Sequence, residues 1–150
     1  DPVLSRGLGD VYKRQPDSRF GIPAAKLGLG YEYEGLAKLA RLVGPSRARD
    51  IMFSARFMPA KEALDMGLIN FIEEHDYIEG ACVSYAKTIA ENAPLTVKAA
   101  KAAINAWERG SRTEEVNAVR AMVDACFDSE DYREGRKAFA AKRKPEFKNR

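Results

Sequence analysis

The stretch of residues 20–44, FGIPAAKLGLGYEYEGLAKLARLVG, constrains the fold of this chain more than any other feature. An apolar extended segment ends at Pro23, three glycines mark a turn, and an amphipathic helical pattern follows, whose apolar face consists of Leu36, Leu39, Ala40 and Val43. Glycines between a strand and a helix let a ligand approach the backbone and leave helix N–H groups available for an oxyanion or a phosphate. Such glycines more often serve only the turn, so the pattern alone indicates a strand–turn–helix unit.

Length and composition indicate one soluble globular domain. The 150 residues are 45% hydrophobic and carry a formal net charge of +3, which suffices for a core and gives no strong case for nucleic-acid binding. No apolar run reaches membrane-spanning length, and the first residues carry no secretory pattern. Cys82 and Cys126 fall on apolar helical faces, so we expect buried, reduced thiols in a cytoplasmic protein, with no metal site and no membrane or nucleic-acid partner.

Periodicity predicts a largely helical chain with two short strands. The strands are expected at 18–23 and 68–73, and the helices at about 36–42, 46–54, 60–66, 77–92, 94–109, 113–127 and 129–142. Ser46 and Ser129 are predicted N-caps. Residues 1–15, DPVLSRGLGDVYKRQ, fit neither period. We interpret them as a junction foreign to the fold, or alternatively as a divergent loop, and leave them out of the fold prediction.

Four segments resemble the motifs of one family and occur in the same order. They are FGIPAAKLG (20–28), FSARFMPAKEALDMGLINFI (53–72), NAPLTVKAAKAAI (92–104) and SEDYREGRKAFAAKRKPEF (129–147). With them the chain resembles the crotonase superfamily, or enoyl-CoA hydratase/isomerase family, over residues 16–150. The resemblance implies an α/β fold, the C-terminal portion of a ββα spiral that is mostly helical in this chain. It implies that residues 16–74 belong to the spiral core and that residues 75–150 form a helical region that serves oligomerisation and covers coenzyme A. It also implies that the full-length protein is a homo-oligomer, a trimer or a hexamer.

The resemblance also implies a chemistry and exposes a departure from it. Hydration of an enoyl thioester needs two N–H groups that hold the thioester oxygen, together with a general base and a general acid. In the family, the N–H groups and a first glutamate lie upstream of Ser18, and a second glutamate directly follows the motif proline. This chain has Ala24 at the second position, so neither hydratase glutamate is present in the part that resembles the family.

Glu32 is the best substitute carboxylate, eight residues beyond Ala24, a spacing at which some family members carry a functional aspartate. Glu34 is the second choice. Alternatively, both are solvated turn residues, or carboxylates favoured at the N-terminus of the following helix.

Residues that could contact coenzyme A come from the same resemblance. Phe127 and Lys142 match an aromatic residue and a lysine that close over the adenine and phosphate of the ligand in a neighbouring subunit. Lys26 and Arg56 are further basic candidates, and Tyr31 and Tyr33 are candidates for an acyl pocket. Alternatively, the aromatic residues only pack and Lys142 lies in a solvated basic run. The coenzyme A thioester is a substrate, so no cofactor is expected.

The sequence therefore predicts an acyl-CoA enzyme that resembles enoyl-CoA hydratases and isomerases. It would hold an enoyl-CoA thioester in an oxyanion hole and move a proton at its α-carbon, and the chain by itself is expected to be inactive. The alternative is a non-catalytic member of the family that binds acyl-CoA or serves as an oligomer scaffold, and a third reading is an inactive truncated gene product. The orientation of Glu32, toward a cavity or toward solvent, distinguishes the first two.

Overall fold

The computed structural model describes residues 13–150, which divide into two compact units, one through Cys82 and the other Val83–Arg150. Of the segment 1–15 that we interpreted as a foreign junction, residues 1–12 lie outside the described residues, and Lys13–Arg14 form a strand. The units divide inside a helix, and the roles assigned to 16–74 and 75–150 remain predictions.

The first unit combines short strands with helices. In chain order they are β1 (Lys13–Arg14), β2 (Arg19–Phe20), α1 (Ala24–Leu27), α2 (Tyr33–Val43), α3 (Pro45–Ser54), β3 (Met58–Pro59), α4 (Ala60–Asp65) and β4 (Phe71–Ile72). The first and last strands pair in parallel, Lys13 with Phe71 and Arg14 with Ile72. The middle two pair antiparallel, Arg19 with Pro59 and Phe20 with Met58. Both predicted strands are therefore present, but shorter than expected.

The core of the first unit forms where α2, α3 and α4 meet the strands. Ile51 and Met58 are its largest fully buried side chains, and the rest of the buried cluster is Val43, Ala48, Ala60, Ala63, Met66 and Ile69. Leu39 and Ala40, from the predicted apolar face of α2, pack against this cluster. Burial of this face, and not helix propensity alone, holds α2 on the unit.

Helix boundaries differ from the prediction at three places in the first unit. The prediction that Ser46 caps α3 is wrong, because Pro45 is the first helical residue and Gly44, at φ +85°, occupies the cap position; proline suits that position because its missing N–H would be unpaired there anyway. The second helix starts at Tyr33, three residues before the predicted start. The one-turn helix α1 was not predicted.

Helices form the rest of the chain. They are α5 (Ile78–Ala90), which spans the division between the units, α6 (Pro94–Glu108), α7 (Thr113–Asp128) and α8 (Glu130–Ala140). Within the second unit, α7 packs against both α6 and α8. The N-cap prediction for Ser129 is confirmed, since its Oγ accepts the backbone N–H of Tyr132 at 3.0 Å. Among residues 13–150, no helix has the length and apolar character needed to cross a bilayer.

Candidate functional site: an exposed turn and an apolar groove

Ala24 lies buried at the start of α1, with 2% of its surface exposed. The backbone oxygen of Ala24 accepts the N–H of Leu29 at 3.0 Å, and Gly28 ends the helix at φ +67°. This left-handed conformation explains the glycine at position 28, since it strains any residue that carries a Cβ. The position where the family has its second glutamate is thus filled by a small apolar side chain in contact with the interior.

The candidate carboxylates and tyrosines lie together in the next turn, residues 31–34. Glu32 occupies the N-cap position of α2, yet its side chain makes no capping hydrogen bond; only its backbone oxygen accepts, from the N–H of Leu36 at 3.2 Å. Glu34 lies in the first turn of α2, where the helix dipole favours a negative charge. Tyr31 is 50% exposed and Tyr33 81%. The structure therefore brings the four residues to one exposed turn, with both carboxylates in water.

The basic candidates of the first unit differ in their surroundings. Lys26 is exposed on α1. Arg56 binds two carboxylates: its Nη1 donates to Glu62 Oε2 at 2.8 Å, and its Nη2 donates to Asp50 Oδ2 at 2.7 Å and to the second oxygen of Glu62. These hydrogen bonds raise the pKa of Arg56 above its ordinary value and lower that of Glu62. A phosphate would have to compete with both carboxylates, so the geometry makes Arg56 a cross-link between α3 and α4.

The second unit contains a groove of about 640 Å³ between α6, α7 and α8. Its lining is mostly apolar and includes Ala99, Ala103, Val119, Val123, Phe127 and Phe139. We call this cavity the groove.

Phe127 is 58% exposed and meets the ring of Tyr132 edge-on, with ring centroids 5.3 Å apart. Lys142 is exposed two residues after α8. Cys126 lines the groove as a free thiol, and both cysteines are half-buried, so the prediction of buried thiols is wrong.

Sequence reasoning missed the groove and the carboxylates beside it. Asp131 and Glu134 lie on α8, and Asp131 is 3% exposed. Their partners are backbone and arginine groups from residues 143–150. The sequence signal was a pair of acidic residues one turn apart, followed by a basic segment, a pattern that a solvated surface shares. Within the described residues, no group of three or more His, Cys, Asp or Glu side chains is arranged to hold a metal ion.

Comparison with known proteins identifies the family. The family model described as enoyl-CoA hydratase/isomerase matches residues 8–150. The chain belongs to the enoyl-CoA hydratase/isomerase family. The match confirms the resemblance and starts eight residues earlier than the motifs indicated. A short-chain-enoyl-CoA hydratase from Clostridium acetobutylicum is 37% identical over 145 residues, which are 94% of this chain and 54% of the relative. A methylmalonyl-CoA decarboxylase from Escherichia coli is 32% identical over 132 residues, which are 87% of this chain and 51% of the relative.

A solved structure confirms the fold. An enoyl-CoA hydratase/isomerase family protein from Hyphomonas neptunium superposes with a TM-score of 0.81 at 32% identity, over 94% of this chain and 53% of that one. The predicted crotonase-type fold, mostly helical in this chain, is thereby confirmed. The chain spans about half the length of these three relatives.

Proposed function

We propose that this chain is part of an acyl-CoA enzyme that holds an enoyl-CoA thioester and transfers a proton at its α-carbon. The observation that carries the proposal is the family match over residues 8–150, together with a relative that is named a short-chain-enoyl-CoA hydratase. Proton transfer at this carbon requires a positioned acid or base. Because position 24 holds alanine, the proposal assigns that role to Glu32, with Glu34 as second choice.

Two features of the 31–34 turn favour Glu32 over Glu34. The Glu32 carboxylate makes no capping hydrogen bond to α2, although Glu32 occupies the N-cap position. Glu34, in contrast, lies within the first helical turn, where interaction with the helix dipole accounts for a glutamate without any catalytic role. Tyr31 lies beside this site, its Cδ1 3.9 Å from the point a Cβ on Gly35 would occupy, and the proposal gives its ring a place in the acyl pocket.

The test is an activity assay of the full-length protein, expressed from the complete gene. Hydration of crotonyl-CoA is followed by loss of the enoyl-thioester absorbance, with Glu32→Gln as the variant and Glu34→Gln as the matched control. Removing a general acid or base slows the reaction about 10²–10⁴-fold, so Glu32→Gln should lose that factor and Glu34→Gln should retain activity. Equal activity of Glu32→Gln and the parent protein would refute the assignment. The chain of 150 residues alone is expected to show no turnover.

A second candidate function follows from Ala24 and the decarboxylase relative. Loss of CO₂ from a malonyl-type thioester generates the enolate without a base, so such a reaction needs the oxyanion hole but no carboxylate at position 24. The 32% identity to a methylmalonyl-CoA decarboxylase supports this reading. Release of CO₂ from methylmalonyl-CoA, with a small effect of Glu32→Gln, would favour it over hydration.

The non-catalytic alternative also has support, because Glu32 is exposed. It expects acyl-CoA binding by calorimetry without turnover in either assay, and in that case Phe127, Lys142 and Lys26 are the residues whose replacement should weaken binding. A homo-oligomer and a cytoplasmic location belong to the same proposal. The oligomer is proposed as one way to cover large apolar side chains at the surface, such as Phe53, which is 76% exposed, and Phe139, which is 88% exposed.

A further inference from the structure

Asp131 is a buried carboxylate that binds backbone and not another side chain. Its Oδ1 accepts the N–H of Lys148 at 2.6 Å, and its Oδ2 accepts the N–H of Asn149 at 2.8 Å. The backbone N–H of Asp131 itself donates to the oxygen of Arg150 at 3.0 Å. Three hydrogen bonds thus tie one residue of α8 to residues 148–150, and two of them are strengthened by the carboxylate charge.

Glu134 provides a second attachment one helical turn further on. Its two oxygens accept from Nη1 and Nη2 of Arg143 at 2.6 and 2.8 Å, and Oε1 also accepts the N–H of Glu146 at 3.0 Å. This is the bidentate geometry in which arginine holds a carboxylate most firmly. Glu134 thus binds residues 143 and 146 to α8, the helix to which Asp131 binds residues 148–150.

Phe147 lies between these two attachments and points to the groove. Its neighbours on both sides, Glu146 and Lys148, are held by their N–H groups. The ring of Phe147 passes 3.5 Å from where a Cβ on Gly135 would stand, and Phe147 is among the residues that line the groove. The two carboxylates of α8 thus determine where this aromatic side chain lies.

We propose that residues 143–150 form a strap that docks on α8 through Asp131 and Glu134 and closes one wall of the groove with Phe147, so that its release opens the groove. The strap lies at the surface, and its six hydrogen bonds to Asp131 and Glu134 use only its backbone and the solvent-accessible side chain of Arg143. Segments with few buried apolar contacts open before the whole unit unfolds. When the strap leaves, water can replace the N–H donors of Asp131, which makes release a local event.

The experiment compares Asp131→Asn with Asp124→Asn, an exposed aspartate on α7. Hydrogen exchange of the Lys148 and Asn149 amides reports docking, and the rate at which a maleimide labels Cys126 reports access to the groove, with Cys82→Ser in every variant. No substrate is needed, so the outcome is independent of the proposed activity. Asp131→Asn should accelerate both amide exchange and labelling about tenfold, the factor for a change of about 1.4 kcal/mol, whereas Asp124→Asn should leave both rates unchanged.

A second variant separates docking from closure and covers the case in which Asp131→Asn disrupts the start of α8. Phe147→Ala keeps both carboxylates and all backbone contacts, so the two amides should stay protected while Cys126 labelling accelerates. The strap would be overturned as a wall of the groove if Phe147→Ala left labelling unchanged. It would be overturned as a docked segment if the amides of Lys148 and Asn149 exchanged in the parent chain as fast as in an unstructured peptide.

Discussion

Replacement of Gly21 by alanine should destabilise the first unit, because the added methyl group has no room. A Cβ at this position would stand 2.7 Å from the backbone oxygen of Arg56 and 3.0 Å from Cδ1 of Phe57. The Arg56 oxygen is a main-chain atom and cannot rotate away. Arg56 lies just before β3, in which Met58 pairs with Phe20 of β2. Relief therefore requires β2 and β3 to move apart.

The size of the effect follows from two opposing contributions. Overpacking by one methyl group costs about 1–3 kcal/mol, while an alanine in place of glycine restricts the unfolded chain and returns about 0.4–1 kcal/mol. The middle of both ranges leaves a net loss of about 1–1.5 kcal/mol in the free energy of unfolding. Because β2 precedes Ala24 by only four residues, the shift should also disturb the start of α1.

Urea unfolding followed by far-ultraviolet circular dichroism measures this loss, and Gly35→Ala is the matched control. The nearest atom to a Cβ on Gly35, Cδ1 of Tyr31, is 3.9 Å away, and the residue lies in the first turn of α2. Alanine is favoured over glycine in a helix by about 0.5–1 kcal/mol, so the same substitution should stabilise the chain there. If Gly21→Ala were as stable as the parent chain, the close approach of Gly21 to Arg56 would be refuted.

Three further substitutions test other parts of the structure. Ser129→Ala removes the cap that binds the N–H of Tyr132 and should cost about 0.5–2 kcal/mol of unfolding free energy in urea; a cost near zero would contradict the capping geometry. Met58→Ala empties a site that is 1% exposed and should cost about 2–5 kcal/mol, with a smaller value expected only if the core collapses around it. Arg143 and the N–H of Glu146 lower the pKa of Glu134 to about 2 from its ordinary 4.5, so the stability that this carboxylate contributes is complete above pH 4.5 and is lost as the pH falls toward 2. Glu134→Gln should remove that part of the acid dependence, and an unchanged profile of unfolding free energy against pH would contradict the ion pair.

Signals that act within one turn of the chain predicted most of the fold. The N-cap of α8 was predicted because Ser129 is followed directly by helical periodicity, and a cap depends only on residues two or three positions away. Ser46 was predicted as a cap from the same signal, but α3 begins one residue earlier, at Pro45, with Gly44 at a positive φ in the cap position. In this chain, the preference of proline for the first helical position predicts the start of the helix better than the preference of serine for the N-cap.

Contacts between distant residues could not be predicted. Arg56 was a phosphate candidate because a lone basic side chain carries no sign of its partners, and Asp50 and Glu62 approach it only after α3 and α4 have folded. Likewise the carboxylates of Asp131 and Glu134 gave no hint that they bind residues up to 18 positions away. The groove has the same origin, since it forms between helices that each looked like an ordinary apolar stripe.

The chemistry assigned to the 31–34 turn depends on a cover that the described residues do not provide. Ala24 is buried at the position of the family's second glutamate, so the proposed acid–base role falls to Glu32 in an exposed turn. A carboxylate in open water gains little from its position, because water competes for every proton and screens every charge. For Glu32 to act on an acyl-CoA, Tyr31 and Tyr33 must close over the thioester, or another surface must cover the turn when the substrate binds. A solvent-exposed Glu32 in the substrate complex would therefore exclude it as the acid–base residue and leave the base-free decarboxylation or simple binding as the function.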